Sequence, residues 1–321
     1  MRKFQPLFLL IAIGPLLLGE QTPARSVLET HENTKYNPAP SQPFYLKTRE
    51  GLEIPRVNAG EEITSYTGFS LCYDELHEQA SWVAYELTAS ETNARYQRSN
   101  QFYVDPAIRT GTAENSDYKY SGYDRGHLAP AADMSWSIKA MKESFYYSNI
   151  SPQTASFNRG IWSRLEKQIR TWAVEREAVY IVTGPILRVG LNTIGNNRVS
   201  IPDSFYKVVL DFSEPTIQGI GFIIPQSQSG GSIQAYAVPI EQVEQITGID
   251  FFPLLPTDVQ EKIERQNCIP CWSWDTQAPP SDRVNAKTST SVQCSGLTKS
   301  GNRCKRMTKN PNGQCYQHGG H

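Results

Sequence analysis

Histidine is scarce in this sequence, with five residues among 321. His31 lies in a polar N-terminal stretch, and His318 and His321 lie in a cysteine-bearing tail. That leaves His77 and His127 where a large core can form. If an imidazole does proton-transfer chemistry near neutral pH, His127 is the first candidate, set against the plainer reading of a lone structural histidine. Cysteine is scarce too, and six residues cannot hold a fold of this size through disulfides. Surplus charge is absent. With 31 Lys and Arg against 32 Asp and Glu, the formal net charge is −1, so any polyanion site must be a local patch. Long apolar runs are missing as well, apart from residues 7–18, which Gly14 and Pro15 interrupt and which are too short to span a bilayer comfortably.

What is present suits a folded enzyme-sized chain. Apolar residues make up 39%, and 16 tyrosines and 6 tryptophans can fill one large core with a smaller appendage beside it. Arg2 and Lys3 before the apolar run, and polar residues 20–23 after it, read as an export signal, cleaved after Gly19 or Ala24. The competing reading is an uncleaved anchor. The expected organisation is a signal at 1–24, a polar leader at 25–59, a main domain at 60–266, a linker at 267–293 and a small basic tail at 294–321. Such a protein is secreted or periplasmic and has no stable membrane association once the signal is removed.

Within the main domain, residues 66–73, 81–87, 178–183, 205–210, 219–224 and 233–238 are short, β-branched or aromatic runs that read as strands. Cys72 in the first of them reads as a buried thiol. Ile138, Met141 and Phe145 have helical spacing, as do Ile161, Leu165, Ile169 and Trp172 in a helix over residues 158–174; a shorter helix covers 240–247. Strands and helices mix without a βαβ rhythm, so the fold class is α+β with a mixed or antiparallel sheet flanked by helices.

Asn158 falls on the inward arc of its helix, where a polar side chain needs a partner. It is either an N-cap or an oxygen ligand for a hard cation. Glu166 lies two turns on; spacing alone favours an ion pair with Arg170, four residues away. Together with His127 and nearby arginines, these groups suit metal-assisted phosphodiester hydrolysis. The imidazole takes a proton from water, a magnesium ion stabilises developing charge, and guanidinium groups neutralise phosphate oxygens.

The stretch Asp124-Arg125-Gly126-His127, then Ser148-Asn149-Ile150-Ser151-Pro152-Gln153, then Asn158-Arg159-Gly160 and Trp162-Ser163-Arg164-Leu165-Glu166, closely resembles the DNA/RNA non-specific endonucleases of the ββα-metal (His-Me finger) superfamily, endonuclease G-like members included. The resemblance covers roughly residues 60–256. It implies His127 as the general base, Asn158 as the single direct ligand of magnesium (with manganese as a substitute), and Glu166 holding metal-bound waters. It further implies Arg125 near the scissile phosphate, Asn149 ordering the site, Asp124 fixing the loop, and an upstream arginine, Arg98 in preference to Arg95. The implied substrates are DNA and RNA, cut with little sequence preference to leave 5′-phosphate ends, and the implied assembly is a homodimer. A catalytically silent module that binds nucleic acid or protein is the alternative; intact His127, Asn158 and Glu166 weigh against it.

The tail lies outside the resemblance. Cys294, Cys304, Cys315 and His318 form C-x9-C-x10-C-x2-H, whose last step suits one edge of a tetrahedral zinc site. Structural zinc is the favoured reading. Disulfides are the rival, because export leads to an oxidising space, where Cys268 and Cys271 could also pair. The tail's lysines and arginines would add phosphate contacts.

Overall fold

A computed structural model describes residues 50–213, 216–274, 292–298, 301–308, 312–315 and 318. The expected signal, and the leader as far as residue 49, lie outside the described residues. Seven strands, β1 (Ile63–Ser65), β2 (Ser70–Asp74), β3 (Gln79–Thr88), β6 (Ala178–Pro185), β9 (Ser204–Asp211), β10 (Gln218–Pro225) and β11 (Ala237–Val238), form one sheet in the order β1-β2-β3-β6-β9-β10-β11. Every neighbouring pair in it is antiparallel. Shorter hairpins pair β4 (Asp124–His127) with β5 (Ile150–Gln153), and β7 (Thr193–Ile194) with β8 (Val199–Ser200).

Both faces of the sheet are buried, which explains why its central strands read as almost continuous apolar runs. Alternate residues face opposite sides. Val83, Tyr85, Ile181, Phe205 and Val209 join one cluster with Leu165, Ile169 and Trp172 of helix α4 (Ser163–Glu175). Trp82, Tyr180, Val182, Tyr206 and Val208 join another with Ile240 and Val243 of α5 (Ile240–Thr247) and Ile263 of α6 (Thr257–Arg265). Each fully buried large apolar side chain contributes about 1.5–3 kcal/mol. Helices α1 (Asn115–Tyr118), α2 (Ile138–Glu143) and α3 (Ala155–Phe157) are shorter. Among the described residues, no helix is long and apolar enough to cross a membrane.

Several expectations change. Residues 233–236 form a 3-10 turn and only Ala237–Val238 pairs with the sheet, because Pro239 stops the strand at once. Ile138 is exposed, since α2 begins there after its Ser137 cap, while Met141 and Phe145 are buried. Asn158 is not an N-cap. The helical chain begins at Ala155, so the Asn158 backbone is already helical (φ −56°, ψ −48°) and its N–H donates to Thr154 O at 2.9 Å. Arg170 does not pair with Glu166: it reaches Asp133 at 2.7 Å instead, across to another segment. Residues 267–274, which composition assigns to a linker, pack on the core. Trp272 lies 4.5 Å from Trp172, whose Nε1–H donates to Ser273 O at 2.6 Å, and Cys268–Cys271 is a disulfide. Leu52, within the expected leader, is fully buried in the second cluster.

Between α3 and α4 the chain makes a π turn over Asn158–Trp162, kinked at Gly160 (φ −101°, ψ −112°). The kink breaks the phase that an unbroken helix would impose between Asn158 and Glu166. A Cβ on Gly160 would sit 2.5 Å from the Ser229 carbonyl oxygen, which is backbone and cannot swing aside. Gly160→Ala is therefore expected to cost about 1–3 kcal/mol, read as a lower midpoint in urea unfolding. An unchanged midpoint would show that the kink does not depend on glycine.

Candidate active site

The β4–β5 hairpin followed by the kinked helix makes a ββα unit. His127 ends β4 and lies opposite Ile150. Its ring meets Phe145 edge-on at 4.7 Å and lies 5.6 Å from Phe102. The side chain is only 6% exposed and Nε2 is buried without a hydrogen-bond partner, an arrangement that calls for an explanation. Burial, and after it the charge of Arg98, pulls the imidazole down to about 3, so it is unprotonated at neutral pH. Next to it, Gly126 admits no side chain, because a Cβ would overlap buried Gln153. Asn149 is fully buried and fastens the loop behind His127. Its Oδ1 accepts from Ala129 N at 2.9 Å, while its Nδ2 donates to Ala129 O at 2.9 Å and Ser144 O at 2.8 Å. With those bonds made, Asn149 can order the site but has little left for a substrate. Arg125 is held by Asn115 Oδ1 at 2.6 Å and Tyr147 Oη at 3.2 Å, with Phe102 beneath it at 5.4 Å. Phe102 thus supports both Arg125 and His127.

Asp124, at the start of β4, organises the helix side. It accepts two hydrogen bonds from Arg159, at 2.8 and 2.6 Å, and one from Asn158 Nδ2 at 3.0 Å. Burial pushes its carboxyl up, but the hydrogen bonds from Arg159 and Asn158 outweigh that and hold it below the usual range. With Nδ2 so engaged, the Asn158 amide has one orientation, and its Oδ1 is the donor atom left for a cation. The residues present therefore fit a hard divalent ion.

Glu166 is half-buried on α4, in a set of charges that sequence reasoning did not assemble. Burial raises its carboxyl, against the attraction of Lys207, Arg170 and Arg98, while Asp133 adds to the rise. Lys207 is fully buried on β9; its Nζ donates to Thr183 Oγ1 at 3.0 Å and Leu128 O at 3.3 Å and lies 4.7 Å over the Trp162 ring. Burial lowers its ammonium, and Glu166 opposes that. Asp133 accepts from Arg170 at 2.7 Å and from Tyr85 Oη at 2.9 Å. A signal for Lys207 was present: a lysine inside Phe205-Tyr206-Lys207-Val208-Val209 is an anomaly in a buried strand. Asp133 gave none. Of the two upstream arginines, Arg98 lies over Phe145 at 5.3 Å and its charge acts on both His127 and Glu166. Arg95 is exposed, and its backbone N–H donates to Ser135 O at 3.1 Å. In the tail, Cys294, Cys304, Cys315 and His318 converge, with their candidate ligand atoms all within 4.8 Å of one another.

A neutral buried imidazole, an oriented amide oxygen, a carboxyl with raised proton affinity and two arginines can together move a proton, hold a hydrated cation and neutralise a phosphate. The family model described as DNA/RNA non-specific endonuclease matches residues 53–258. The mitochondrial nuclease EXOG of Danio rerio is 33% identical over 233 residues, spanning 65% of this chain and 68% of its own length. The mitochondrial endonuclease G of Bos taurus is 34% identical over 207 residues, spanning 60% and 69%. A crystal structure of EndoG in complex with EndoGI superimposes with a TM-score of 0.57 at 32% identity, over 60% of this chain and 86% of that one. With the ββα unit in place and the family match running through it, this chain belongs to the DNA/RNA non-specific endonuclease family and is an enzyme of that class.

Proposed function

We propose that this chain is an exported, metal-dependent endonuclease that hydrolyses phosphodiester bonds of DNA and RNA without strong sequence preference, leaving 5′-phosphate ends. The observation that carries the reading is that strand β4 presents the buried His127, with its Nε2 unpartnered, and also the Asp124 that locks the Asn158 amide. Asn158 Oδ1 would hold magnesium, or manganese in its place, and Glu166 would accept hydrogen bonds from the waters around it. When bound, the ion supplies positive charge to the phosphoryl and leaving oxygens. His127 takes the proton of the attacking water at its unprotonated ring nitrogen. Burial depresses the imidazole first and Arg98 second; a phosphodiester drawn to Arg98 offsets that second part, and so strengthens the base when substrate is present. Export to the periplasm or medium rests on Arg2, Lys3 and the apolar residues 7–18.

Purified protein incubated with plasmid DNA, single-stranded DNA and RNA is expected to degrade all three with magnesium and none with EDTA. His127→Ala should lower turnover by at least about 10²-fold while nucleic-acid binding persists. Wild-type protein that binds nucleic acid but leaves it intact across magnesium, manganese and pH would replace this reading with a silent binding module.

A pH dependence of metal affinity follows from Glu166. Its raised proton affinity means that the metal-free site gains a proton as pH falls, and the ion must displace it. Magnesium affinity, measured by calorimetry, should therefore weaken as pH falls from about 8 to about 6, approaching about tenfold per unit. Glu166→Gln should flatten the curve and abolish the proton release. A wild-type affinity independent of pH would remove Glu166 from the ion's surroundings.

A further inference from the structure

Outside the nuclease core, the described part of the tail is a hairpin without a hydrophobic core. Strands β12 (Val292–Gln293) and β13 (Met307–Thr308) pair at its base. Within it, Cys304 N–H donates to Gly296 O at 2.8 Å, and Cys294 N–H donates to Arg306 O at 2.7 Å. The one buried cluster consists of Cys294, Cys304 and Cys315 alone. Three thiols cannot stabilise such a segment by apolar burial, so some stronger bond must close it.

We propose that Cys294, Cys304, Cys315 and His318 form a tetrahedral zinc site that folds the tail into a module of its own. The spacing of the donor atoms is the first argument. Zinc with Zn–S of about 2.3 Å and Zn–N of about 2.0 Å requires sulfurs about 3.8 Å apart and a sulfur–nitrogen edge of about 3.5 Å. The Cys304 and Cys315 sulfurs are 4.0 Å apart, and His318 Nδ1 lies 3.4 Å from Cys294 Sγ and 3.3 Å from Cys315 Sγ. A disulfide would draw two sulfurs to about 2 Å. The tail cysteines are all free thiols, whereas Cys268 and Cys271 are joined.

The imidazole supplies the second argument. His318 Nε2 lies 2.9 Å from Leu297 O, and since a carbonyl only accepts, Nε2 carries a proton and Nδ1 is the nitrogen turned to the sulfurs. A backbone carbonyl fixing the far nitrogen is the usual outer contact of a metal-bound histidine. Nδ1 faces two sulfurs, and one hydrogen bond cannot serve both equally. A cation at the centre satisfies all four donors. Gly296 is matched to this arrangement, since a Cβ there would overlap the His318 ring. The backbone N–H groups of Gly296 and Cys315 donate to Cys294 Sγ at 3.3 and 3.2 Å, as suits a thiolate. Three thiolates and an imidazole select zinc over magnesium or calcium.

The test is elemental analysis of the full chain purified under reducing conditions with zinc supplied. About one zinc per chain is expected, falling to a small fraction in Cys304→Ser and His318→Ala. Asn158→Ala should keep it, which separates this ion from any at the nuclease site. Cobalt substitution of the unmutated chain should give the visible absorption of a tetrahedral thiolate site, a readout that does not depend on a variant folding. Zinc absent from the wild type, zinc unchanged in both tail variants, or a disulfide among Cys294, Cys304 and Cys315 in the chain purified with zinc would overturn the proposal.

Discussion

The attraction between Lys207 and Glu166 joins the sheet to the helix that carries the candidate site. An ammonium withdrawn from water costs several kcal/mol unless its surroundings answer it. Here they do: Thr183 on the neighbouring strand, the Leu128 carbonyl, the face of Trp162 and the charge of Glu166 surround it. Leu128 directly follows His127, so one side chain engages the base's own backbone neighbour and the carboxyl on α4. The two charges attract without a direct salt bridge, and such an attraction is weak evidence for stability. Its contribution is positional, because removing either partner leaves an unanswered charge beside the base.

Around that pair the charges are arranged in opposition. Asp133 takes the direct ion pair of Arg170, which leaves Glu166 under that arginine's charge but out of its hydrogen bonds. Asp124 takes Arg159 and the nitrogen of Asn158, which leaves the amide oxygen available. Each acidic group bound to a structural partner thus releases a neighbouring group for the site. Arg98 remains exposed, where its field reaches both the imidazole and the carboxyl. Burial keeps the base unprotonated, and Arg98 adds to that with the same kind of charge that would draw a phosphate in.

Local pattern in the sequence was enough for much of this. The strands at 178–183, 205–210 and 219–224 were readable because both faces of the sheet are buried, and α5 because its stripe ends at Gly248 in a left-handed cap. The motifs around His127, Asn158 and Glu166 were readable by resemblance. What escaped depends on contacts distant in sequence. Arg170 could be assigned to Glu166 by spacing, but only the fold brings Asp133 within 2.7 Å of it. Asn158 read equally well as a cap, since nothing local announces that the helix starts three residues earlier. Helix α6 went unread because its only buried apolar residue is Ile263. Residues 267–274 looked like linker because proline and cysteine suggest a break, while the indole they pack on, Trp172, sits far upstream.

That last contact separates two ideas of where a domain ends. The family match stops at residue 258, and composition changes near 267, yet Trp272 and Trp274 close over Trp172 at 4.5 and 5.2 Å and Arg176 donates to Cys271 O at 2.7 Å. The region matched by the family model is therefore shorter than the packed one. A fragment trimmed to the family boundary would uncover an indole and an unmatched N–H on the helix that carries Glu166, so the natural place to cut this chain lies beyond Trp274.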